Sequence, residues 1–371
     1  MDIINDIRAK ARFNRVQDAQ SLTWLGPVRM LVIASIAFGY ASTLPRGPQE
    51  AEYLHFLGFD PSWYGISILF MISRFLALRS LERHESPQKF LLSRMGRNLP
   101  TLAVFAFMVV LIAFPLLGVP LDGTLGNGSQ FQQHITYLVK VITCLSPDML
   151  TPGLLDNALY MCVIQGGLWT FRWGAIAFIL TATLWAFGGL RRRSTLFILT
   201  LFFIICYASL IVYTVQTPDA PSLLNPLSIG LRLGWAYLIG MCAYAFKDKL
   251  PRTLLVPAIV IILAALQYYL LRWTPFIEIS TEIGFGYLVY LIMTSKTALP
   301  KSLKSLPDLS LGLYVFNWPA GQIMLLLIPS LTPLPLFALS FPVTIFLSIS
   351  TWFLVSRKLN LALANRVAIP A

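Results

Sequence analysis

The sequence contains few charged residues: only 12% of its 371 residues are Asp, Glu, Lys or Arg, about half of the share found in ordinary soluble domains. Hydrophobic residues make up 57% of it, and a soluble chain of this length needs more polar surface to cover its core. The apolar residues come in blocks of about 20, the length of a helix that crosses a bilayer. The short alternating segments typical of membrane β-strands are absent. The sequence therefore predicts an all-α membrane protein.

Residues with strong catalytic or metal-binding signatures are also scarce. The chain has three histidines, His55, His84 and His134, and four cysteines without motif spacing, a pattern that argues against a zinc site or a disulfide framework. Motifs of the HExxH, GxSxG, P-loop and dinucleotide-binding types are absent, so the usual signatures of metal hydrolases, serine hydrolases and ATPases are missing. We expect no metal site, no permanently bound cofactor, and surface positions for the histidines.

The positive charges follow the connectors between the apolar blocks. Alternate connectors hold 21 of the 28 basic residues, whereas the opposite set holds only 3. Because basic connectors stay in the cytoplasm, this asymmetry predicts about ten spans, an even number, with both termini cytoplasmic. A net charge of +12 concentrated on one membrane face argues against a nucleic-acid partner. The predicted spans lie near residues 24–44, 62–78, 99–119, 157–190 (whose first part is a surface or partly inserted stretch), 194–214, 229–246, 253–271, 281–295, 308–328 and 336–356.

The domain organisation follows from these spans. We expect a cytoplasmic N-terminal segment over residues 1–22, a transmembrane domain over 23–357 and a cytoplasmic tail over 358–371. The N-terminal segment is polar and basic and has no small-residue cleavage site, so we do not expect a removable signal peptide. The sequence thus predicts a multi-pass protein of the bacterial inner membrane, surrounded by membrane lipids. The loop 120–156 is either a lid or a helix on the outer surface.

Four arginines lie inside or at the edge of apolar spans: Arg29, Arg74, Arg172 and Arg232. An arginine at the bilayer centre costs at least about 2.5–3.5 kcal/mol, so such residues face a polar cavity, pair with an acid or reach the interface. Snorkelling from a helix end is one interpretation for Arg74 and Arg232. Arg29 precedes Tyr40 by about 16 Å along a helix. These two either line one polar passage or act as separate interfacial residues.

A basic loop follows the second predicted span, within residues 63–100. Its Arg94 and Arg97 stand at i and i+3 and therefore share a helix face, and guanidinium groups suit phosphate oxygens. The pair Ser86-Pro87 predicts a helix start just before them. The two arginines either bind a phosphate-bearing substrate or belong to a topogenic loop that contacts anionic lipid.

Two later segments combine aromatic, small and polar residues at membrane depth. They are 166–179, which begins GGLWT, and 308–322, which contains YVFNWPAG. In the second segment, Pro319 follows Asn317 by two residues and removes a backbone donor from the helix, an arrangement found where a helix lines a cavity. Ordinary helix packing is the other interpretation.

Taken in order, these stretches resemble the acyltransferase-3 family of integral-membrane O-acyltransferases, and the match runs from about Leu22 to Arg357. Five pieces carry the resemblance. They are Arg29 at the start of the family's R-x10-H pattern; Ser73, Arg94, Arg97 and Pro100 in its second span and loop; Trp169 and Thr170 in its LWT segment; Tyr314 and Pro319 in its late LSYGLYLxHxP helix; and LIGMCAYAFKDKLP, which is similar to its sixth helix.

Several positions depart from the family pattern. Tyr40 replaces the first-helix histidine, Arg74 stands within the expected Ser-Gly-Phe, and Gly174 replaces the acid of the tryptophan segment. On the late helix, Leu311 replaces a tyrosine and Asn317 replaces a frequent histidine. Tyrosine, with a pKa near 10, is a poor base at neutral pH, so the family's usual general base is missing.

The resemblance implies transfer of an acetyl group from acetyl-CoA, as co-substrate, to a sugar hydroxyl of a cell-surface polysaccharide or its lipid-linked precursor. It implies catalytic roles for Arg29, Tyr40 and Asn317, with Arg29 stabilising the thioester oxyanion or orienting the nucleophile. It implies that the acyl-CoA and the acceptor are bound by Ser73, Arg74, Arg94, Arg97, Trp169 and Tyr314.

The joint loss of histidine and acid, at Tyr40 and Gly174, leaves a second hypothesis open. In it the chain is a catalytically degenerate family member that acts in polysaccharide assembly or export without acyl transfer, together with other polysaccharide-assembly proteins. An unrelated transporter is a third hypothesis. Against it, the spans show no two-half repeat, which is the usual sign of many transporter folds.

Overall fold

The computed structural model of the chain describes residues 24–47, 55–84, 86–113, 115, 129–144, 155, 158–190, 192–217, 219, 221–271, 274–295, 297, 300, 303 and 306–358. The predicted N-terminal segment 1–22, most of the predicted tail and most of the loop 120–156 lie outside these residues.

Within the described residues, eleven α-helices form the fold, and the β-structure is an isolated bridge between Phe56 and Phe59. The helices are α1 (Leu25–Thr43), α2 (Pro61–His84), α3 (Pro87–Met108), α4 (Ser129–Thr143), α5 (Trp169–Ala186), α6 (Arg193–Gln216), α7 (Leu224–Ala245), α8 (Leu255–Leu266), α9 (Thr274–Met293), α10 (Ser310–Leu327) and α11 (Pro333–Thr351).

Eight helical segments of the described chain are long and apolar enough to cross a membrane. Large apolar side chains are exposed on several of them; on α6, Phe197, Ile198 and Phe202 are 58%, 64% and 57% exposed. Contiguous apolar surface of this kind requires an apolar solvent. The chain is therefore an all-helical, multi-pass membrane protein. The eight segments are Leu25–Thr43, Pro61–Leu81, Pro87–Ala113, Arg193–Gln216, Leu224–Ala245, Phe276–Met293, Ser310–Leu327 and Pro333–Ser356.

Each predicted span overlaps one of the described helices, although α5 and α8 are not among these eight. The predicted start of α9 is late, since this helix begins at Thr274 rather than near residue 281. Glu278 and Glu282 lower the hydropathy of its first half, so the sequence pattern places its start too late. The third predicted span also begins late, near residue 99, whereas α3 begins at Pro87. The helix start predicted from Ser86-Pro87 is confirmed: Pro87 is the first residue of α3, and Ser86 caps it by accepting from the Lys89 N–H over 3.4 Å.

The described residues belong to two compact units. The first unit comprises those of Met1–Val32, Ser67–Arg79 and Arg193–Asp308. The second unit comprises those of Ile33–Ile66, Ser80–Arg192 and Leu309–Ala371. Each unit has its own buried interior and its own polar cluster.

In the first unit, α2 and α7 run parallel to each other. The backbone of Gly240 in α7 lies directly against the backbone of Met71 in α2. Four residues further along both helices, Tyr244 packs edge-on against Phe75, with ring centroids 5.2 Å apart. Residue numbers therefore rise in the same direction along the two helices, which are in close contact because Gly240 has no side chain.

Two further helix pairs give the directions of α9 and α8. Helix α9 is parallel to α7, because Arg232 pairs with Glu278 and Ile239 packs against Gly286. Helix α8 is antiparallel to α9. Its continuation Gln267–Leu271 forms a π-helical turn, and the Ser280 hydroxyl donates to the Gln267 side chain over 3.1 Å.

In the second unit, α10 is the most buried helix, and α1 runs parallel to it. Tyr40 contacts Trp318 with ring centroids 4.9 Å apart, and Leu44 packs against Gly321 one turn further on. Helix α11 follows α10 after a short turn and packs antiparallel to it, with Ser348 against Gly312. This arrangement surrounds the middle of α10 with protein on several sides.

Gly240→Ala should lower the free energy of unfolding by about 1–3 kcal/mol, because the added methyl group overlaps the Met71 carbonyl. The measurement is thermal unfolding of the purified chain in detergent. Gly174→Ala on α5 is the matched control, since a Cβ there meets nothing within 4 Å. The control should be neutral or stabilising, because alanine favours a helix over glycine by about 0.8–1 kcal/mol. Equal losses in the two variants would contradict the close approach of α2 and α7.

Candidate functional site

Buried hydroxyl groups from three distant segments meet in the second unit. The Tyr314 hydroxyl on α10 lies 3.1 Å from the Gly167 carbonyl, to which it donates, and 2.9 Å from Thr170 Oγ1. Thr170 Oγ1 also donates to this carbonyl, over 2.8 Å. The Tyr40 hydroxyl also lies beside Gly167. A methyl group at this glycine would be 3.0 Å from the Tyr314 hydroxyl and 3.1 Å from the Tyr40 hydroxyl. We call Tyr40, Thr170 and Tyr314 the hydroxyl cluster.

Gln165 connects the segment before α5 to α10 at the point where Pro319 interrupts the helix. Proline has no backbone N–H, so the Val315 carbonyl, four residues earlier, loses its helical donor. Gln165 Nε2 donates to this carbonyl over 3.1 Å and to the Tyr314 carbonyl over 2.9 Å. Its Oε1 accepts from the Gly167 N–H. One buried amide therefore satisfies the interrupted helix and also fixes the turn that carries Gly167.

Trp318 and Asn317 extend the cluster along α10. The rings of Tyr40 and Tyr160 pack edge-on against Trp318 at 4.9 and 5.1 Å, and Gly166 leaves room for its six-membered ring. Asn317 is 5% exposed, and neither polar atom of its side chain has a hydrogen-bond partner among the described residues. A buried amide in this condition is costly until a polar group binds to it, so Asn317 has free donor and acceptor capacity.

The hydroxyl cluster can orient a polar group and relay a proton. Each of its hydroxyls can donate one proton and accept others, and the 2.9 Å between Thr170 Oγ1 and the Tyr314 hydroxyl allows such exchange. The Tyr40 hydroxyl is buried beside them and has no hydrogen-bond partner among the described residues, so its own proton is available to a bound group. The cluster itself contains no carboxylate and no imidazole. The nearby carboxylate of Asp60 serves as the N-terminal cap of α2, where it accepts from the backbone N–H groups of Ser62 and Trp63.

A second buried polar network lies in the first unit, around Arg232 of α7. Its Nε donates to Glu278 Oε1 over 2.7 Å and lies 3.5 Å from Glu282 Oε1, while its Nη2 donates to Ser67 Oγ over 2.9 Å. Ser67 in turn donates to Glu282, and Tyr207 donates to Glu278. The three charged side chains are at most 2% exposed. The snorkelling interpretation of Arg232 is therefore wrong, and the pairing with an acid is what the structure shows.

The other predicted residues of the first unit lie on α1 and α2. The Arg29 side chain is 5% exposed and pairs with Asp308 at 3.3 Å. Arg74 is also buried, and its guanidinium lies 3.8 Å from the centroid of the Tyr237 ring, so snorkelling is wrong for Arg74 too. Ser73 is half-buried. The structure thus divides the predicted site residues between the two units.

In the second unit, the predicted residues outside the hydroxyl cluster lie on α3 and α5. Arg94 is half-buried, with its guanidinium 5.7 Å from the Phe90 ring. The backbone of Arg97 belongs to α3, whereas its side chain lies outside the described part. Trp169 is the first residue of α5 and is half-buried. Tyr40, Tyr314 and Asn317 are therefore the predicted residues that the structure brings together.

Sequence reasoning missed Gln165, Glu278 and Glu282. A signal existed for the two acids, because they stand four residues apart and so share one face of an apolar helix. Gln165 carries no comparable signal, because a single glutamine in a connector has no pattern that points to α10.

The histidines of the described part have different environments. His55 is exposed, as expected, whereas His134 on α4 is only 3% exposed, so its predicted surface position is wrong. Burial lowers the pKa of His134, which keeps its imidazole neutral at pH 7. The His84 side chain lies outside the described residues, and among those described no group of three or more His, Cys, Asp or Glu could hold a metal ion.

No family model, no curated protein and no solved structure matches this chain. The resemblance to the acyltransferase-3 family therefore stays a prediction, carried by the residues named above.

Gln165→Leu should lower the free energy of unfolding by about 1–3 kcal/mol, because it leaves the Val315 carbonyl and the Gly167 N–H without partners. Pro319→Ala restores a backbone donor to the Val315 carbonyl. The double variant should therefore lose less than the sum of the two single losses, as measured by unfolding in detergent. Additive losses would show that Gln165 and Pro319 act independently.

Proposed function

We propose that this chain is a membrane-bound O-acyltransferase that transfers an acetyl group from acetyl-CoA to a sugar hydroxyl of a cell-surface polysaccharide or its lipid-linked precursor. The hydroxyl cluster carries the proposal. Tyr40, Thr170 and Tyr314 come from three of the segments that resemble the family, and their hydroxyls meet beside Gly167 in a buried interior. Reaction of a hydroxyl with a thioester requires donors and acceptors held in fixed positions of this kind.

In the proposed reaction, the sugar oxygen attacks the thioester carbonyl carbon, a C–O bond forms, the C–S bond breaks and CoA leaves as a thiol. The proton of the sugar hydroxyl must reach the departing sulfur. Tyr40 relays it by accepting this proton while donating its own, so that no permanent base is needed. The Asn317 amide holds the sugar or the thioester carbonyl oxygen. The role of Arg29 as the oxyanion stabiliser stays a prediction of the resemblance.

Acyl-CoA enters this site from the cytoplasmic end of α3. Arg94 and Arg97 lie in the third turn of α3, three residues apart, and guanidinium groups bind the oxygens of phosphates as planar forks. Trp169, at the start of α5, and Tyr314 contact the acyl end or the sugar. Acyl-CoA, the glycan acceptor and membrane lipids are thus the partners of this proposal.

We also propose that the chain crosses the inner membrane of a bacterial cell ten times, with both termini in the cytoplasm. The helix directions support the number of crossings. Parallel helices must be separated by an odd number of crossings. The eight segments that are long and apolar enough to cross a membrane give two crossings between α2 and α7 and none between α7 and α9. Both parallel pairs are explained if α5 and α8 also cross the membrane. Helix α5 then makes the third crossing between α2 and α7, and α8 makes the single crossing between α7 and α9.

The charges agree with this count. The three parallel helices α2, α7 and α9 all lead into basic connectors, which bring them to one membrane face. Their basic residues are Arg79 and Arg83 in the last turns of α2 and Lys89, Arg94 and Arg97 in the first turns of α3; Lys247, Lys249 and Arg252 after α7; and Lys296, Lys301 and Lys304 after α9.

A second candidate function is that of a degenerate relative, which acts in polysaccharide assembly or export without acyl transfer. The position that corresponds to the family's acid favours it: Gly174 faces open space, and a Cβ there meets nothing within 4 Å. The chain thus has room for the missing acid but does not supply it. Its partners would then be other polysaccharide-assembly proteins.

Mass spectrometry of surface polysaccharide tests the first candidate. Cells that lack this protein should lose one acetyl mass per modified sugar, and wild type should restore it. Arg29→Ala should not restore it, and Tyr40→Phe should reduce acetylation at least about 100-fold, the lower range for a lost proton-transfer group.

Tyr290→Phe is the matched control for the loss of a buried hydroxyl, since the Tyr290 hydroxyl donates to the Leu250 carbonyl over 2.7 Å in the first unit. It should leave acetylation unchanged. Full acetylation by both Arg29→Ala and Tyr40→Phe would exclude these catalytic roles. Normal acetylation with less polymer in cells that lack the protein would favour the second candidate.

The double variant Tyr40→His with Gly174→Glu distinguishes a lapsed enzyme from an active one. If wild type does not acetylate the polymer, the double variant should gain acetylation from zero, because it supplies the family's base and acid. The open space at Gly174 admits the glutamate without a clash. Failure to gain activity, with the variant folded and present in the membrane, would count against a lapsed transferase site.

A further inference from the structure

The buried network around Arg232 contains unequal numbers of positive and negative groups. Among the described residues, one guanidinium forms ion pairs with two carboxylates, Glu278 and Glu282, and all three side chains are at most 2% exposed. A carboxylate in such surroundings loses its hydration, and without a full partner it becomes neutral instead of staying ionised. If both acids were ionised, the network would hold an uncompensated negative charge inside a membrane-spanning helix.

The two carboxylates are not equivalent. Glu278 accepts from the Arg232 Nε at 2.7 Å and from the Tyr207 hydroxyl. Glu282 accepts from the Ser67 hydroxyl and lies further from the Arg232 Nε, at 3.5 Å. The Glu282 Oε2 is buried and has no hydrogen-bond partner among the described residues. Negative charge is therefore stabilised on Glu278 and poorly stabilised on Glu282.

The polar groups around Glu282 come from three neighbouring helices and from its own helix, whereas α8 contacts α9 near Gly284 through the apolar Val260 and Ile261. These polar groups are the Ser67 hydroxyl of α2, the Tyr207 phenol of α6, the Arg232 guanidinium of α7 and the Glu278 carboxylate of its own helix. The buried cations of α2, Arg74 and Arg79, lie about two and three turns beyond Ser67, and the Arg74 guanidinium stacks on the Tyr237 ring. Among the described residues, Arg232 is thus the cation that forms ion pairs with both acids.

We propose that this network is a proton-binding site, in which Glu282 carries one exchangeable proton next to the Arg232–Glu278 ion pair. The ligand is a proton, taken up when Glu282 becomes neutral and released when it ionises. Buried acids within spanning helices serve proton transfer in membrane proteins, and this site couples a step of the chain's cycle to proton uptake. The proposal does not depend on acyl transfer, because none of its residues belongs to the hydroxyl cluster.

Isosteric variants of the two acids test the assignment. Glu282→Gln mimics the protonated acid, so the midpoint of thermal unfolding of the full chain at neutral pH should stay within about 2 °C of wild type. Glu278→Gln should lower it by about 5 °C or more, because Arg232 then has no ionised partner. Equal destabilisation by the two variants, or failure of Glu282→Gln to fold, would overturn the proposal.

Infrared spectroscopy tests the proton directly and decides the matter even if Glu278→Gln does not fold. The difference spectrum of wild type minus Glu282→Gln, recorded at neutral pH, should contain the carbonyl band of a protonated carboxyl group, and this band should shift in D2O. At high pH the band should give way to carboxylate bands in wild type. A difference spectrum that holds only carboxylate bands at neutral pH would exclude a proton on Glu282.

Discussion

A guanidinium that enters the hydrocarbon region keeps its charge, so the protein must replace every ligand that water provided. The first unit does this for the Nε and Nη2 groups of Arg232 with side chains from neighbouring helices: a hydroxyl on α2 and two carboxylates on α9. Helix α6 contributes the Tyr207 hydroxyl, which satisfies one of these acids in turn. Because four helices have side chains in one network, a shift of any of them along its axis would break a buried polar contact. The network therefore fixes the register of these four helices, and the glycine contact at Gly240 allows α2 and α7 to approach closely enough to form it.

The second unit meets the same requirement at a backbone group. Pro319 removes the donor for a carbonyl in the most buried helix, and no water is available at that depth to replace it. Gln165 supplies the missing donor from a segment far away in the sequence. Its other end holds the turn at Gly167, where the hydroxyls of Tyr40 and Tyr314 come together. The Gln165 side chain thus replaces the backbone donor that Pro319 lacks, and the same amide positions the turn at which the hydroxyl cluster assembles.

Hydropathy and charge in the sequence were sufficient to locate the helices, because a spanning segment must be long and apolar and its ends must carry the right charges. Local chemistry also located the start of α3 at Ser86-Pro87. Tertiary partners were not predictable in this way. Glu278 and Glu282 lower the hydropathy of α9, so the predicted span begins near residue 281 and leaves out the first turns of that helix, which contain Glu278. Tyr40, Tyr314 and Asn317 were named because they stand at positions of a family pattern, whereas Gln165, which holds their surroundings together, belongs to no pattern.

The separation of Arg232 from Glu278 has a consequence for biosynthesis. The acid follows the arginine by 46 residues along the chain, and translation at about 5–20 residues per second delivers it roughly 2–9 s later. During that interval α7 already exists with its buried cation, whereas α9 has not yet been made. Of the Arg232 ligands described above, Ser67 was synthesised much earlier and is already available. Until α9 emerges, the cation lacks both of its acidic partners, so we expect α7 and α9 to enter the bilayer as a pair.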